Sequence, residues 1–225
     1  MSISINSLIP AVQAPLERFG QTEWVRELNQ TAWLFALVET IHLISLVVLG
    51  GAVLVLNLRL LGLVLGDVPE QVIERNTRPW LRAGVIGTIV TGTYMAVATV
   101  VTLLPNAAFL VKMVALVAAI LLSTAVARRL RLGQSDNPAG SRLLAGSAVA
   151  LWLAALILFA ATRTIAAGAL LVGLAGLALL LAGIAVRRDG GNWTALLRSP
   201  QRLGAFSSTL AWVTVAAAGR WIGFS

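Results

Sequence analysis

Glu39 and His42 stand three residues apart in one long apolar run, and His42 is the chain's single histidine. On a helix that spacing puts a carboxylate and an imidazole on adjoining parts of one face, which continues through Leu46, Gly50 and Val53 to Asn57. This stripe is expected to turn toward protein. Either Glu39 or His42 can serve as a proton-responsive group, since imidazole titrates near neutral pH. Lys112 enters a third apolar run, and Arg163 and Arg220 close two others. Ionisable groups inside a membrane are costly, so they normally face the bundle interior with a partner. A second run carries Thr88, Thr91, Thr99 and Thr102 with Met95 on one side and Tyr94 beside it. That face is either polar lining or packing surface. Threonines bond back to their own helix, and Gly84, Gly87 and Gly92 allow close helix approach.

Several chemistries are excluded by what is missing. The chain has 0 cysteines, so there are no disulfides, thiolate metal sites or cysteine nucleophiles. One histidine with one nearby carboxylate is too small a ligand set for a metal, and a single histidine cannot give bis-histidine haem ligation within one chain. No phosphate-binding glycine loop, nucleophile elbow or zincin helix is present. No catalytic residue is expected, and no cofactor is required.

The elements that must position these groups are set by composition. In 225 residues, 58% are hydrophobic and 12% charged, and mean hydropathy is +0.89. The solvent for most of such a chain is lipid, where only helices or a closed barrel satisfy the backbone. Continuous runs without alternation predict an all-α, polytopic transmembrane helical bundle of about six spans, a single domain over residues 1–225. Residues 1–30 are too polar to span and show no secretory signal. They are expected to stay in the mature protein as an outward-facing interfacial segment anchored by Phe19 and Trp24. The spans are expected at about 33–56, 80–104, 107–126, 143–162, 165–186 and 206–224. The first helix extends toward Leu63 before Gly66 and Pro69 stop it. Trp152, Trp212 and Trp221 are expected in packing or interfacial anchoring.

Basic residues fix the orientation. Arg59, Arg75, Arg78 and Arg82 follow span one; Arg128, Arg129, Arg131 and Arg142 follow span three; Arg187, Arg188, Arg198 and Arg202 follow span five. The opposite side carries only Arg18, Arg26, Arg163 and Arg220. Positive-inside bias then predicts both termini outside, in a cell inner membrane. The formal charge of +8 reflects these loops, which suit anionic lipid, and not nucleic-acid binding. With that orientation, Glu39, His42, Lys112, Arg163 and Arg220 all fall in the outer third of the bundle. They make either an outward-facing polar pocket or a structural cluster, with Glu39 paired to Lys112 or an outer arginine and the arginines snorkelling to headgroups. The chain also parallels itself: AVARR at 125–129 matches IAVRR at 184–188, and RLLAGSAVALW at 142–152 matches RLGAFSSTLAW at 202–212. Spans three and four read as a duplicated hairpin of spans five and six.

The stretch from Glu39 to Leu63, with its ETxH motif, central glycine and NLRLLG exit, resembles an uncharacterised bacterial membrane-protein family. FLVKM around Lys112 and the ending from Trp212 to Ile222, with GRWI, are also similar to it. More distantly the chain resembles copper-resistance membrane proteins of the CopD type, which implies copper movement across the inner membrane. Asn57 replaces the usual aspartate of the exit motif, and the single histidine and three methionines depart from the copper pattern.

Three classes of function follow. One is a small binding or transport protein in which Glu39, His42 and Lys112 line the polar site, with Tyr94, Arg163 and Arg220 around it. Another is a haem- or metal-bearing redox subunit with His42 as an axial ligand completed by a second chain. The third is a structural accessory subunit of a membrane complex. The partners expected are lipid and a homo-oligomer or membrane complex.

Overall fold

Apolar runs of this length cannot leave backbone groups unpaired in hydrocarbon, and in the computed structural model every described element is helical. The structure describes residues 10–132, 138–161, 164–188, 190–192 and 199–222. Two short helices, α1 (Pro10–Gly20) and α2 (Glu23–Gln30), precede α3 (Ala32–Leu60) and α4 (Glu70–Ala98). After one further turn, α5 (Val100–Leu103), come α6 (Ala107–Leu132), α7 (Pro138–Ala161), α8 (Ile165–Arg188) and α9 (Pro200–Trp221). Five of these, α3, α4, α6, α7 and α8, are long and apolar enough to cross a membrane. Their outer faces expose Trp33, Val47, Ile86, Ile157 and Val172, an exterior suited to lipid and too apolar for a water-soluble monomer.

Several boundaries differ from expectation for local reasons. Helix α3 stops at Leu60, earlier than Gly66 and Pro69 would have stopped it, because Gly62 takes a left-handed φ of +73°. The Leu63 amide then reaches back to the Leu58 carbonyl at 2.8 Å, satisfying an orphan acceptor at the helix end. Helix α4 begins directly after Pro69, so the charged stretch leading to Trp80 is already helical. It breaks at Thr99, whose hydroxyl and amide both bond to the Met95 carbonyl, at 2.8 and 3.1 Å. Helix α9 starts six residues ahead of Phe206, with Ser199 as N-cap and Pro200 in the first turn. Phe224 lies outside the described residues.

The N-terminal helices sit over the α4–α5 break, where a β-carbon on Gly20 would collide with Val101. Phe19 and Trp24 meet edge to face, with ring centroids 5.4 Å apart, and both are partly exposed.

Helices α3 and α4 form one extensively packed pair, and α6 and α7 form another; α9 joins them, packing on α6, α3, α8 and α7. The main core is built largely of alanines, including Ala115, Ala118, Ala148, Ala155, Ala211 and Ala218, small enough to bring helix backbones close. A second cluster, with Leu56, Leu60, Ile73, Val126, Leu130 and Ala205, closes the end where α3 leaves and α4 enters.

Helix α9 is not among the five apolar helices. Ser207, Ser208, Thr209 and Thr214 interrupt it, yet Ser208, Thr209 and Thr214 are buried. Each is matched by a neighbour: Asn57 Nδ2 donates to Thr209 Oγ1 at 3.1 Å, Ser123 and Ser208 hydroxyls meet at 3.2 Å, and Trp152 Nε1 donates to Thr214 Oγ1 at 3.0 Å. Trp212 Nε1 adds a bond to Ser123 Oγ at 2.9 Å. Trp152 and Trp212 therefore pack inside the bundle and tie α9 to α7 and α6.

Candidate functional site

The site begins at the α3–α4 crossing. A β-carbon on Gly84 would lie 2.7 Å from Leu49, backbone included; one on Gly87 would collide with Ser45; one on Gly92 would lie 3.2 Å from His42 Cε1. The glycines of α4 thus let α3 lie directly against it and bring the His42 ring onto Thr91. The packing role expected of Gly84, Gly87 and Gly92 is realised here.

His42 is buried, and its Nδ1 lies 2.8 Å from Thr91 Oγ1. The Thr91 hydroxyl has one proton, and the Gly87 carbonyl at 2.5 Å takes it. Oγ1 then accepts from Nδ1–H, and in the neutral imidazole it is Nε2 that carries the lone pair. Nε2 has no hydrogen-bond partner among the described residues.

Lys112 approaches from α6. Its stem rests on α9 at Gly219, where a β-carbon would sit 3.4 Å from Cε and 3.5 Å from Nζ. Among the described residues Lys112 has no hydrogen-bond or ion-pair partner. Two fully buried side-chain atoms are also without a partner among the described residues, Thr88 Oγ1 and the Tyr94 hydroxyl, both on α4 within about a turn of Thr91. His42 Nε2 and Lys112 Nζ differ from these in retaining accessible surface.

The end of the bundle near these groups is pinned by Asn106. Its Oδ1 caps α6 by accepting from Ala108 N at 2.9 Å, and its Nδ2 donates to the Ile222 carbonyl at 3.3 Å, joining α6 to the end of α9. Lys112 enters six residues further on, about 9 Å along the helix, and His42 lies ten residues into α3, about 15 Å.

Two sequence expectations fail here. Glu39 is exposed and makes no ion pair among the described residues. Gly50 is exposed as well. The buried stripe of α3 is His42, Leu49, Ala52, Val53, Leu56, Asn57 and Leu60, whose phase places Glu39 outside it. Among the described residues, Glu39 is therefore not paired with Lys112 or with an arginine. Arg220 is exposed near the end of α9, and Arg163 lies outside the described residues.

Among the described residues, a further charged constellation is one the sequence did not single out. Glu74 is buried at the opposite end of the bundle, gripped by Arg78 through Nε to Oε1 at 2.9 Å and through a second, short bond from Nη2 to Oε2. Arg131 Nε approaches the same carboxylate at 3.6 Å, tying α6 to α4. Nearby, Arg59 donates to the carbonyls of Val68 at 2.7 Å and Gly66 at 3.2 Å, and Arg188 donates to the Gly62 carbonyl. The i, i+4 spacing of Glu74 and Arg78 was a local signal for part of this clamp.

Among the described residues no three His, Cys, Asp or Glu side chains group as a metal site.

The chain matches no curated protein and no solved structure. A family model does match, over residues 31–168. These residues hold α3, α4, α6 and α7 and so His42, Thr91 and Lys112, while α9 lies beyond them. The chain belongs to the family of unknown function designated DUF6644.

Proposed function

We propose that this chain is a small binding or transport protein of the cell inner membrane, whose polar site in the outer half of the bundle takes a small anionic solute. One observation carries the reading: Lys112 rests against Gly219 of α9 inside the bundle with no counter-ion among the described residues. A cation in such a place is costly and is normally matched by a partner or a ligand. The free Nε2 lone pair supplies an acceptor for a ligand hydroxyl or proton, and Tyr94 supplies a further polar group on α4. In this reading α9 is the sixth span, its hydroxyls shielded by neighbours, and both termini face outside with the arginine-rich loops in the cytoplasm. The hairpins α6–α7 and α8–α9, each with a double arginine before its turn, are the two copies of the duplication.

The test is thermal unfolding of detergent-purified protein against acetate, phosphate and sulfate at constant ionic strength, alongside Lys112→Met and Gly219→Leu. At least one anion should raise the midpoint by several degrees in the parent chain and in neither variant. No anion-specific shift, or one that survives Lys112→Met, overturns the reading.

A second reading rests on the His42 tautomer. A metal-ligating histidine is typically oriented by a hydrogen bond from its other nitrogen, the arrangement that Thr91 supplies. His42 would then be an axial ligand to a haem shared with a second chain. A visible spectrum of the purified protein beside His42→Ala separates the two readings: a Soret band lost in the variant favours haem, and a colourless protein removes it. Copper movement, implied by the distant CopD resemblance, has weaker support because Met95 and Met113 are the only described thioethers.

A further inference from the structure

A cleft of about 480 Å³ opens between α6, α7 and α9 at the end of the bundle opposite the His42 site. Its size falls within the roughly 300–1,000 Å³ of small-molecule pockets, and its charged groups are segregated from its apolar walls along its length, with the Ser207 hydroxyl a single polar group deeper on α9. Arg129, Arg142 and Gln201 stand at one end. Leu122 and Val149, seven residues deeper on α6 and α7, form apolar walls at the other, about 10 Å away along the helices. Small residues keep the space open between them: a β-carbon on Gly146 would meet nothing within 4 Å.

We propose that this cleft holds one acyl chain of an anionic phospholipid, with Arg129 and Arg142 taking its phosphate. The order of charge and apolar wall along the cleft is that of a phospholipid entering from the headgroup layer. Guanidinium groups match phosphate by charge and by paired donors. A groove on the flank of a membrane bundle is filled by lipid, whereas a buried void of this size would cost packing contacts. The proposal is independent of the anion reading at Lys112, which lies at the other end of α6.

The experiment uses the full chain in detergent, delipidated and then offered equal phosphatidylglycerol and phosphatidylcholine, with bound lipid counted by native mass spectrometry. Glycerol phosphate is the headgroup-only arm. Phosphatidylglycerol should be retained one to one in preference to phosphatidylcholine, at least tenfold less by Arg129→Gln/Arg142→Gln, and at least tenfold less by Gly146→Leu, which fills open space without touching a charge. Helix content by circular dichroism should match the parent in both variants, so that loss reports the site and not misfolding. Equal retention of the two lipids overturns the proposal. So does retention of glycerol phosphate as strong as that of the lipid, or phosphatidylglycerol retention unchanged in folded Gly146→Leu.

Discussion

Single residues in this bundle are constrained most where two helices touch. At Gly84 an added methyl would meet the Leu49 backbone at 2.7 Å, so Gly84→Ala should cost about 1–3 kcal/mol through displaced packing. At Gly50 nothing lies within 4 Å, and Gly50→Ala should leave stability unchanged or raise it by up to about 1 kcal/mol through helix propensity. Unfolding of both variants in one detergent checks the pair. Lys112→Met should stabilise the ligand-free protein by on the order of 1 kcal/mol, because it removes an ammonium that has no partner among the described residues. A drop in the unfolding midpoint would show that the charge is already matched. His42 and Lys112 were legible in the sequence because ionisable residues are rare in apolar runs. Glu39 misled, because three-residue spacing fixes neighbours on a helix but not which of them meets the next helix. Glu74 was passed over for the converse reason: its second arginine, Arg131, comes from an element 57 positions away.

The helices themselves were legible from apolar length, and their ends less so. Gly62 rather than Gly66 stops α3 because the stop depends on which residue takes the left-handed conformation, and both glycines could. The N-terminal reach of α4 was obscured by its charges, which lie on helical faces outside the apolar stretch. Helix α9 is the element in which sequence and fold are hardest to reconcile by hydropathy alone, since its hydroxyls are buried against other helices. Trp152→Phe and Thr214→Val should each cost about 0.5–2 kcal/mol, and the double variant little more than either, since both remove one interhelical bond. Additive losses in a double-mutant cycle would show that the Trp152–Thr214 bond is not the shared element. A parallel cycle on Arg78→Met and Glu74→Gln should show the opposite asymmetry. Arg78→Met leaves a buried carboxylate facing Arg131 at 3.6 Å alone and should cost about 1–3 kcal/mol, and adding Glu74→Gln should recover part of that loss.

At the scale of the whole molecule, contacts between Glu74 and Arg131, and between Arg188 and Gly62, gather three arginine-rich connections at one end. That grouping was legible because charge alternated from loop to loop, whereas the hub position of α9 needed three dimensions. The absence of cysteine makes the sidedness directly measurable. Single cysteines at Gln21, Asn106 and Ser225 should all react with an impermeant maleimide added outside intact cells, and cysteines at Asp67 and Gly190 only after permeabilisation. Labelling of Ser225→Cys from the side opposite to Gln21→Cys would remove the six-span arrangement. The buried hydroxyls of α9 also bear on biogenesis. Asn57, Ser123 and Trp152, the hydrogen-bond partners of those hydroxyls, all belong to helices synthesised earlier. On the six-span reading proposed above, helix α9 would enter the bilayer as a client of the helices already there, and the timing of its membrane integration, as much as the finished packing, would depend on their having assembled first.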